Sequence, residues 1–205
     1  MSPKCKVNTT TRTRTTTTTK VAMMGTSNCG HISLSAQFIS QPQSNRKVEF
    51  SRHLDIKGTS TKVELNVFVC EYDTIYQYCQ NSHAFVLVYS PLDRQSFEKI
   101  QNFIECIQQY DHLSNAVVAI VENNTFLSVN DSNTLQVKTE EAHFLANNFG
   151  CLFFQVEADC QFQVEQLIAS VLIENEKKSM LKSAVGSAKK SKRAIFKRIL
   201  SYIKN

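Results

Sequence analysis

The sequence lacks the features that mark several protein classes. Its seven cysteines include no pair with C-x-x-C spacing, and this odd, scattered set argues against a disulfide framework and against a structural zinc site. No run of about 18 apolar residues is present, so no segment is expected to span a membrane. The first residues carry charges and threonines where a secretory signal would need an apolar stretch. These absences favour reduced thiols in a cytosolic compartment.

Acidic residues are missing from both ends of the chain. Residues 1–20 hold five basic and no acidic residues, and residues 177–205 hold ten basic and no acidic residues. The middle, residues 21–176, holds the remaining 8 basic residues and all 18 acidic ones, a net charge of −10. The sequence therefore predicts an acidic globule with two basic tails. Such tails favour anionic partners: membrane lipid, nucleic acid or an acidic protein.

Three segments differ in composition. Residues 1–19 are rich in threonine and have no apolar periodicity, which predicts a disordered tail. Residues 20–176 carry the strand and helix patterns of one folded domain, and residues 177–205 form the basic C-terminal tail. In the middle segment, apolar runs and alternating patterns predict strands at 21–24, 63–69, 84–89, 116–121 and 151–156.

Helical periodicity appears between these strands. It predicts helices over Ser33–Ile39, after Ser96, over Thr139–Asn148 and over Val164–Ile173. Thr139 is the expected N-cap of its helix, and Gly150 the expected stop. Alternating strands and helices predict an α/β fold with a mostly parallel sheet and helices on both faces. Chemistry in such a sheet is expected at the carboxyl ends of the strands.

The segment Gly25–Ser33 follows the first strand and has the two glycines and the spacing of a phosphate-binding P-loop, G-x-x-x-x-G-K-[ST]. His31 occupies the lysine position, and an unperturbed histidine is mostly neutral at pH 7. Ile32 occupies the Ser/Thr position and offers no oxygen to Mg²⁺. Ser33 comes one residue late, about 100° round the helix. Backbone N–H groups could still bind an anion here; a loop kept only for packing is the alternative.

Three further segments carry a family resemblance. His83–Ile100 resembles the fourth strand and third helix of Ras-family small GTPases, Val137–Ala146 resembles their next helix, and Gly150–Val156 the strand after it. The order and spacing agree from Lys20 to about Ile173. The resemblance implies a Ras-like P-loop NTPase fold: three layers, with a mostly parallel central sheet and helices on both faces.

The functional motifs that this resemblance implies are largely replaced. The Asp-x-x-Gly motif falls near Val69–Tyr72 and has lost both its aspartate and its glycine, and residues 40–55 contain no threonine for switch I. The guanine-reading Asn-Lys-x-Asp aligns with residues 123–126 and keeps only Asn123, with Phe126 in place of the aspartate. The Ser-Ala-Lys motif keeps only Ala158. The predicted vestigial nucleotide site comprises Gly25, Ser27, Asn28, Gly30, His31, Ile32, Ser33, Asn123 and Ala158.

With these replacements, no catalytic or metal-binding residue is assigned, and GTPase activity is not expected. The lysine, the protein contacts to Mg²⁺ and the usual water-positioning glutamine are all missing, and phosphoryl transfer depends on them. GTP or GDP with Mg²⁺ is expected to bind weakly at most.

The basic tail has a helical pattern of its own. Ile195, Ile199 and Ile203 recur every four residues, and the basic residues lie largely off that stripe. This predicts a basic amphipathic helix that lies on anionic membrane or binds calmodulin; the alternative is a stripe that packs on the core. The predicted binding residues are Lys189, Lys190, Lys192, Arg193, Ile195, Phe196, Lys197, Arg198, Ile199, Leu200 and Ile203. The chain ends without a C-a-a-X motif, so prenylation is not expected to be the anchor.

The tail and the strand at 84–94 are similar to those of the Rad/Gem/Kir (RGK) branch of the Ras superfamily. That resemblance implies calmodulin binding and restraint of voltage-gated calcium channels from the inner face of the plasma membrane. The chain departs from the branch because it lacks a P-loop lysine and a cysteine-containing terminus.

Together, these features give the hypothesis of a monomeric pseudo-GTPase that is cytoplasmic, peripheral at the membrane, and binds protein partners through its globular domain. The alternative is a divergent small GTPase that binds GTP or GDP weakly and acts as a switch. Nucleic-acid binding is not expected, because the globule is acidic and no reader motif is present.

Overall fold

Strands and helices alternate along the chain, as the sequence predicts. The computed structural model describes residues 17–39, 47–56, 59–69, 82–110, 116–127 and 134–203, with the side chains of the last helix described as far as residue 184. The strands are β1 (Thr17–Gly25), β2 (Lys47–Ile56), β3 (Thr59–Val69), β4 (Ala84–Tyr89), β5 (Val117–Asn123) and β6 (Leu152–Val156). The helices are α1 (His31–Ile39), α2 (Arg94–Gln108), α3 (Thr139–Phe149) and α4 (Gln161–Ile203).

The six strands form one sheet in the order β2-β3-β1-β4-β5-β6. β2 runs antiparallel to β3, and every other neighbouring pair is parallel. In the register of the sheet, Val21 of β1 lies opposite Leu65 of β3 and Ala84 of β4. The parallel strands therefore all end at one edge, which brings the loops after β1, β5 and β6 together.

Helices cover both faces of the sheet and create two hydrophobic cores. Val21 and Met23 of β1 belong to a core with residues of α1 and α4. Ala22 and Met24, which alternate with them, belong to a second core with residues of α2 and α3. All four of these side chains are fully buried, because an inner strand is covered on both faces. The predicted three-layer, mostly parallel α/β fold is confirmed.

Several strands differ from the sequence prediction, and β1 and β2 show why. β1 begins at Thr17, three residues inside the segment 1–19 that was assigned to a disordered tail. The threonines there are β-branched, which suits a strand, and Thr17 pairs with Thr61 of β3. β2 was not predicted at all. It is the edge strand and pairs only with β3.

The helix α3 begins differently from the prediction. Lys138, not Thr139, is its N-cap, and the Lys138 amide donates to the Glu141 carboxylate at 3.3 Å. Thr139 is the first helical residue, and its hydroxyl instead donates to Glu122. The predicted stop at Gly150 is confirmed, since Gly150 adopts a left-handed conformation with φ of 63°.

The helix α4 joins the predicted core helix, 164–173, and the predicted helix of the basic tail in one continuous helix. It has 43 residues, a length of about 65 Å at 1.5 Å per residue. Its early part packs in the core through Val164, Ile168 and Val171, and Lys178 Nζ donates to the Ala116 carbonyl at 3.2 Å. Residues 179–184 are exposed. No helix in the described part of the chain is long and apolar enough to cross a bilayer.

Candidate functional site

The loop between β1 and α1 keeps the backbone form of a P-loop. It runs from Gly25 at the end of β1 to His31 at the start of α1, and Gly30 has a φ of 78°, in the region that favours glycine. The Cys29 amide donates to the Thr26 carbonyl at 3.2 Å and closes the loop. A Cβ at Gly25 would lie 2.2 Å from the Cys29 Sγ. Both glycines of the motif are therefore required by the geometry.

His31 stands where a P-loop has its lysine, and its side chain is fully buried. Nδ1 lies 3.3 Å from the Cys29 Sγ, while Nε2 has no hydrogen-bond partner among the described residues. Burial lowers the pKa of His31 from 6.5 to about 4, against a smaller opposing effect of the backbone of Thr26 and Phe68. His31 is therefore neutral at pH 7 and does not provide the permanent charge that a lysine places beside a phosphate.

Cys29 is the partner of His31 in this buried pair. Burial raises the pKa of Cys29 from 9.0 to about 11, and contacts with His31 and Thr26 offset only part of that rise. The thiol is uncharged at pH 7, whereas the thiolate is the form that attacks electrophiles and binds metals. Within the described ranges, no three His, Cys, Asp or Glu side chains come together to hold a metal ion.

The remaining predicted residues of this loop offer little to a magnesium–nucleotide complex. Ile32 is half-buried and has no side-chain oxygen, and its carbonyl accepts a hydrogen bond from the Ser35 hydroxyl at 2.6 Å. Ser27, Asn28 and Ser33 are exposed. Mg²⁺ requires oxygen ligands in near-octahedral geometry. The residues in the lysine and Mg²⁺ positions therefore do not fit a Mg²⁺-bound nucleoside triphosphate.

Asn123 joins the loop after β5, here called the base loop (124–127), to the loop after β1. Its Nδ2 donates to the Cys29 carbonyl at 2.9 Å, and its Oδ1 accepts from the Thr125 amide at 3.2 Å and from the Thr125 hydroxyl at 2.6 Å. A Cβ at Gly30 would lie 2.2 Å from Nδ2, so this close approach also needs glycine. The amide of Asn123 is thus engaged by the protein itself.

The loop after β6 joins the same network. The buried amide of Ala158 donates to the Thr125 hydroxyl. Phe126, in the position of the base-reading aspartate, is 58% exposed, and its Cε2 would lie 3.5 Å from a Cβ at Gly30. A phenyl ring lacks the carboxylate oxygens that accept two N–H groups of guanine. Asn123 and Ala158, the two retained positions of the base-reading motifs, therefore make hydrogen bonds within the protein. Phe126 replaces the third base-reading residue, the aspartate.

This arrangement of a P-loop backbone at the carboxyl edge of a Ras-like sheet agrees with comparison to known proteins. A model of the Ras family matches residues 20–177. The chain belongs to the Ras family. Its relatives include GTP-binding protein Rit2 of Rattus norvegicus, which is 27% identical over 180 residues that cover 81% of this chain and 78% of the relative.

Two further relatives of this Ras-family chain are matched over most of their length. GTP-binding protein Rit1 of Mus musculus is 27% identical over 197 residues, covering 89% of this chain and 85% of the relative. Ras-like protein rasU of Dictyostelium discoideum is 25% identical over 200 residues, covering 91% of this chain and 89% of the relative. The predicted Ras-superfamily membership is confirmed, while the narrower resemblance to the RGK branch stays a prediction.

The structure brings some predicted site residues together and separates others. The nucleotide-site residues of this Ras-family domain lie on adjoining loops at the carboxyl edge, linked through Asn123 and Thr125. Of the replaced switch motifs, the stretches 40–46 and 70–72 lie outside the described residues, whereas 47–55 belongs to β2 and Val69 ends β3. The predicted membrane-binding segment, 189–203, belongs to α4 and begins about 40 Å along the helix axis from Gln161. Its side chains lie outside the described part.

A second polar cluster was missed by sequence reasoning. Glu122 is 2% exposed at the end of β5, on the α2–α3 face of the sheet. Its carboxylate accepts hydrogen bonds from the Tyr89 hydroxyl at 2.6 Å, from Gln155 Nε2 at 2.9 Å and from the Thr139 hydroxyl at 3.2 Å. Burial and this carboxylate raise the pKa of Tyr89. A glutamate at the end of an apolar strand was the available signal, because a buried carboxylate needs several donors.

Proposed function

We propose that this Ras-family chain is a pseudo-GTPase: an interaction module that signals or regulates without acting as a nucleotide-dependent switch and without hydrolysing GTP. The observation that carries the proposal is His31, which replaces the P-loop lysine with a buried, uncharged ring. Ile32 and Phe126 remove two further functional groups, at the Mg²⁺ and base-reading positions. Loss of one group that stabilises a transition state can cost about 10²–10³ in rate. Several losses together leave no effective route to phosphoryl transfer.

The chemistry of the C-terminal segment supports a role at a membrane. Residues 177–205 carry ten basic and no acidic residues, and each basic residue near an anionic leaflet contributes about 1 kcal/mol. Residues 179–184 of α4, at the start of this segment, are exposed. We therefore place the protein at the inner face of the plasma membrane, with protein partners on its globular domain. Regulation of a voltage-gated calcium channel is the specific role that the RGK resemblance suggests.

Nucleotide titration tests the pseudo-GTPase proposal. Full-length protein is titrated with a fluorescent GTP analogue, with and without Mg²⁺, and single-turnover hydrolysis is measured in parallel. The proposal predicts no saturable binding at micromolar concentration and no phosphate release. Mg²⁺-dependent micromolar binding would overturn it.

Liposome binding tests the membrane proposal. The double variant Ile199→Glu/Leu200→Glu places two charges on the apolar stripe and is expected to lose at least tenfold in affinity for anionic vesicles. The matched control, Met180→Glu/Leu181→Glu, adds the same charge at two exposed apolar residues of the same helix, outside the predicted binding residues 189–203, and should bind anionic vesicles much more tightly than the first variant does. Undiminished binding of the first variant would overturn the proposed anchor. Calmodulin is titrated separately, because binding to calmodulin alone would also contradict a membrane role.

A second candidate function is a divergent GTPase that still binds nucleotide weakly. The left-handed Gly30 and the P-loop backbone favour it, as do Rit1 and Rit2, which are named as GTP-binding proteins. It requires backbone amides to bind the phosphates without a lysine. The same titration separates the two candidates.

A further inference from the structure

A continuous chain of hydrogen bonds joins the three loops at the carboxyl edge of the sheet. The Cys29 carbonyl of the first loop accepts from Asn123, and Asn123 accepts from both the amide and the hydroxyl of Thr125 in the base loop. The Thr125 hydroxyl in turn accepts from the Ala158 amide after β6. The base loop is also fixed to β6 by the Asn124 amide, which donates to the Val156 carbonyl at 2.9 Å.

Thr125 is the centre of this series of hydrogen bonds because its hydroxyl is both a donor and an acceptor. It donates its only proton to Asn123 and accepts the Ala158 N–H with a lone pair. Ala158 is 3% exposed and Asn123 is 1% exposed, so water does not readily replace either contact. A buried N–H without a partner is costly. The hydroxyl therefore satisfies a group that would otherwise be left unpaired.

The two residues that Thr125 engages are those that the family resemblance assigns to the nucleotide pocket beyond the P-loop. Their polar groups make hydrogen bonds within the protein: the Asn123 side-chain amide donates to the Cys29 carbonyl, and the Ala158 N–H donates to the Thr125 hydroxyl. The remaining reader position is Phe126, which carries no polar group.

We infer that Thr125 serves as an internal substitute for a ligand, holding the three loops in place so that the domain keeps its structure without nucleotide. The inference rests on the proposed pseudo-GTPase function and adds the device that makes it possible. Two consequences follow. Any nucleotide that binds would find the Ala158 N–H already paired within the protein, and the nucleotide-free protein should be fully folded.

The test compares Thr125→Val, which has nearly the shape of threonine but no hydroxyl, with Thr125→Ser, which keeps the hydroxyl. Thr18→Val, at an exposed position of β1, controls for the general effect of the substitution. All variants are made in the full chain and freed of nucleotide with a chelator and phosphatase. Hydrogen exchange of the Ala158 amide is followed by NMR, together with thermal unfolding.

We expect the Ala158 amide to exchange about tenfold faster in Thr125→Val than in the wild type, and at nearly the wild-type rate in Thr125→Ser and Thr18→Val. Equal exchange in Thr125→Val and the wild type would overturn this inference alone. If Thr125→Val does not fold, rapid Ala158 exchange in Thr125→Ser would overturn it, because serine keeps both contacts. A higher unfolding temperature of the wild type with Mg²⁺–GDP would instead overturn the proposed function.

Discussion

The buried imidazole of His31 should make the stability of the protein depend on pH in the mildly acidic range. The pKa of His31 is about 4 in the folded protein and about 6.5 in an unfolded chain. The unfolded state therefore binds more protons between these values, so stability is complete above pH 6.5 and falls as the pH falls toward 4. From pH 7 to pH 4.5, the free energy of unfolding should decrease by about 2–3 kcal/mol from this residue alone.

A comparison of the wild type with two variants isolates this effect. Urea unfolding of the wild type and of His31→Leu is measured at pH 7, 6, 5 and 4.5, with His31→Gln as a second non-titrating variant. Carboxylates whose pKa is lowered, such as Glu141 beside Arg94, also weaken the protein in acid, but they are the same in all three proteins. The difference in the free energy of unfolding between the wild type and each variant should therefore change by about 2–3 kcal/mol between pH 7 and pH 4.5. If the free energy of unfolding of the wild type and of the His31 variants changes with pH in parallel, the burial of His31 described above is refuted.

The remaining predictions concern the stability of the two polar clusters. Glu122→Ala removes the common acceptor of three donors, of which the Tyr89 hydroxyl is buried, and should lower the free energy of unfolding by about 3 kcal/mol. Glu105→Ala, at an exposed position, should change it by less than about 0.5 kcal/mol. Equal effects of the two substitutions in urea unfolding would contradict this hydrogen-bond network. Gly30→Ala adds both backbone strain and a clash with Asn123, and should cost about 3 kcal/mol or more. Gly150→Ala, with a similar φ and no atom within 4 Å of its new Cβ, should cost about 1 kcal/mol. If the Gly30→Ala protein is no less stable than the Gly150→Ala protein, the close approach of Gly30 to the Asn123 side chain is contradicted.

Much of the fold could be predicted because inner parallel strands leave a strong signal. β4 was predicted at 84–89 and is observed over Ala84–Tyr89, since a strand buried on both faces is a continuous apolar run. β2 was missed, although Val48 and Phe50 alternate with polar residues, because an edge strand has a weaker pattern. The full extent of α4 could not be predicted: periodicity indicates its buried part and, separately, a helix in the basic tail, but no pattern indicates that the two form one continuous helix.

The candidate site was harder to predict, because its decisive contacts join residues far apart in sequence. The two glycines and the replaced lysine are visible in the P-loop motif itself. The link between Asn123 and Cys29 spans 94 residues, and the link between Thr125 and Ala158 spans 33. Neither the burial of His31 nor the role of Thr125 could follow from local pattern, since both depend on which loops the sheet brings together.

If this Ras-family domain is complete without nucleotide, the nucleotide content of the purified protein shows it most directly. Full-length protein is expressed and purified in the presence of Mg²⁺, denatured, and its released nucleotide separated by chromatography and quantified against protein. We expect essentially no guanine nucleotide to be recovered from protein that is folded by circular dichroism. Recovery of GDP or GTP at close to one molecule per chain would contradict it.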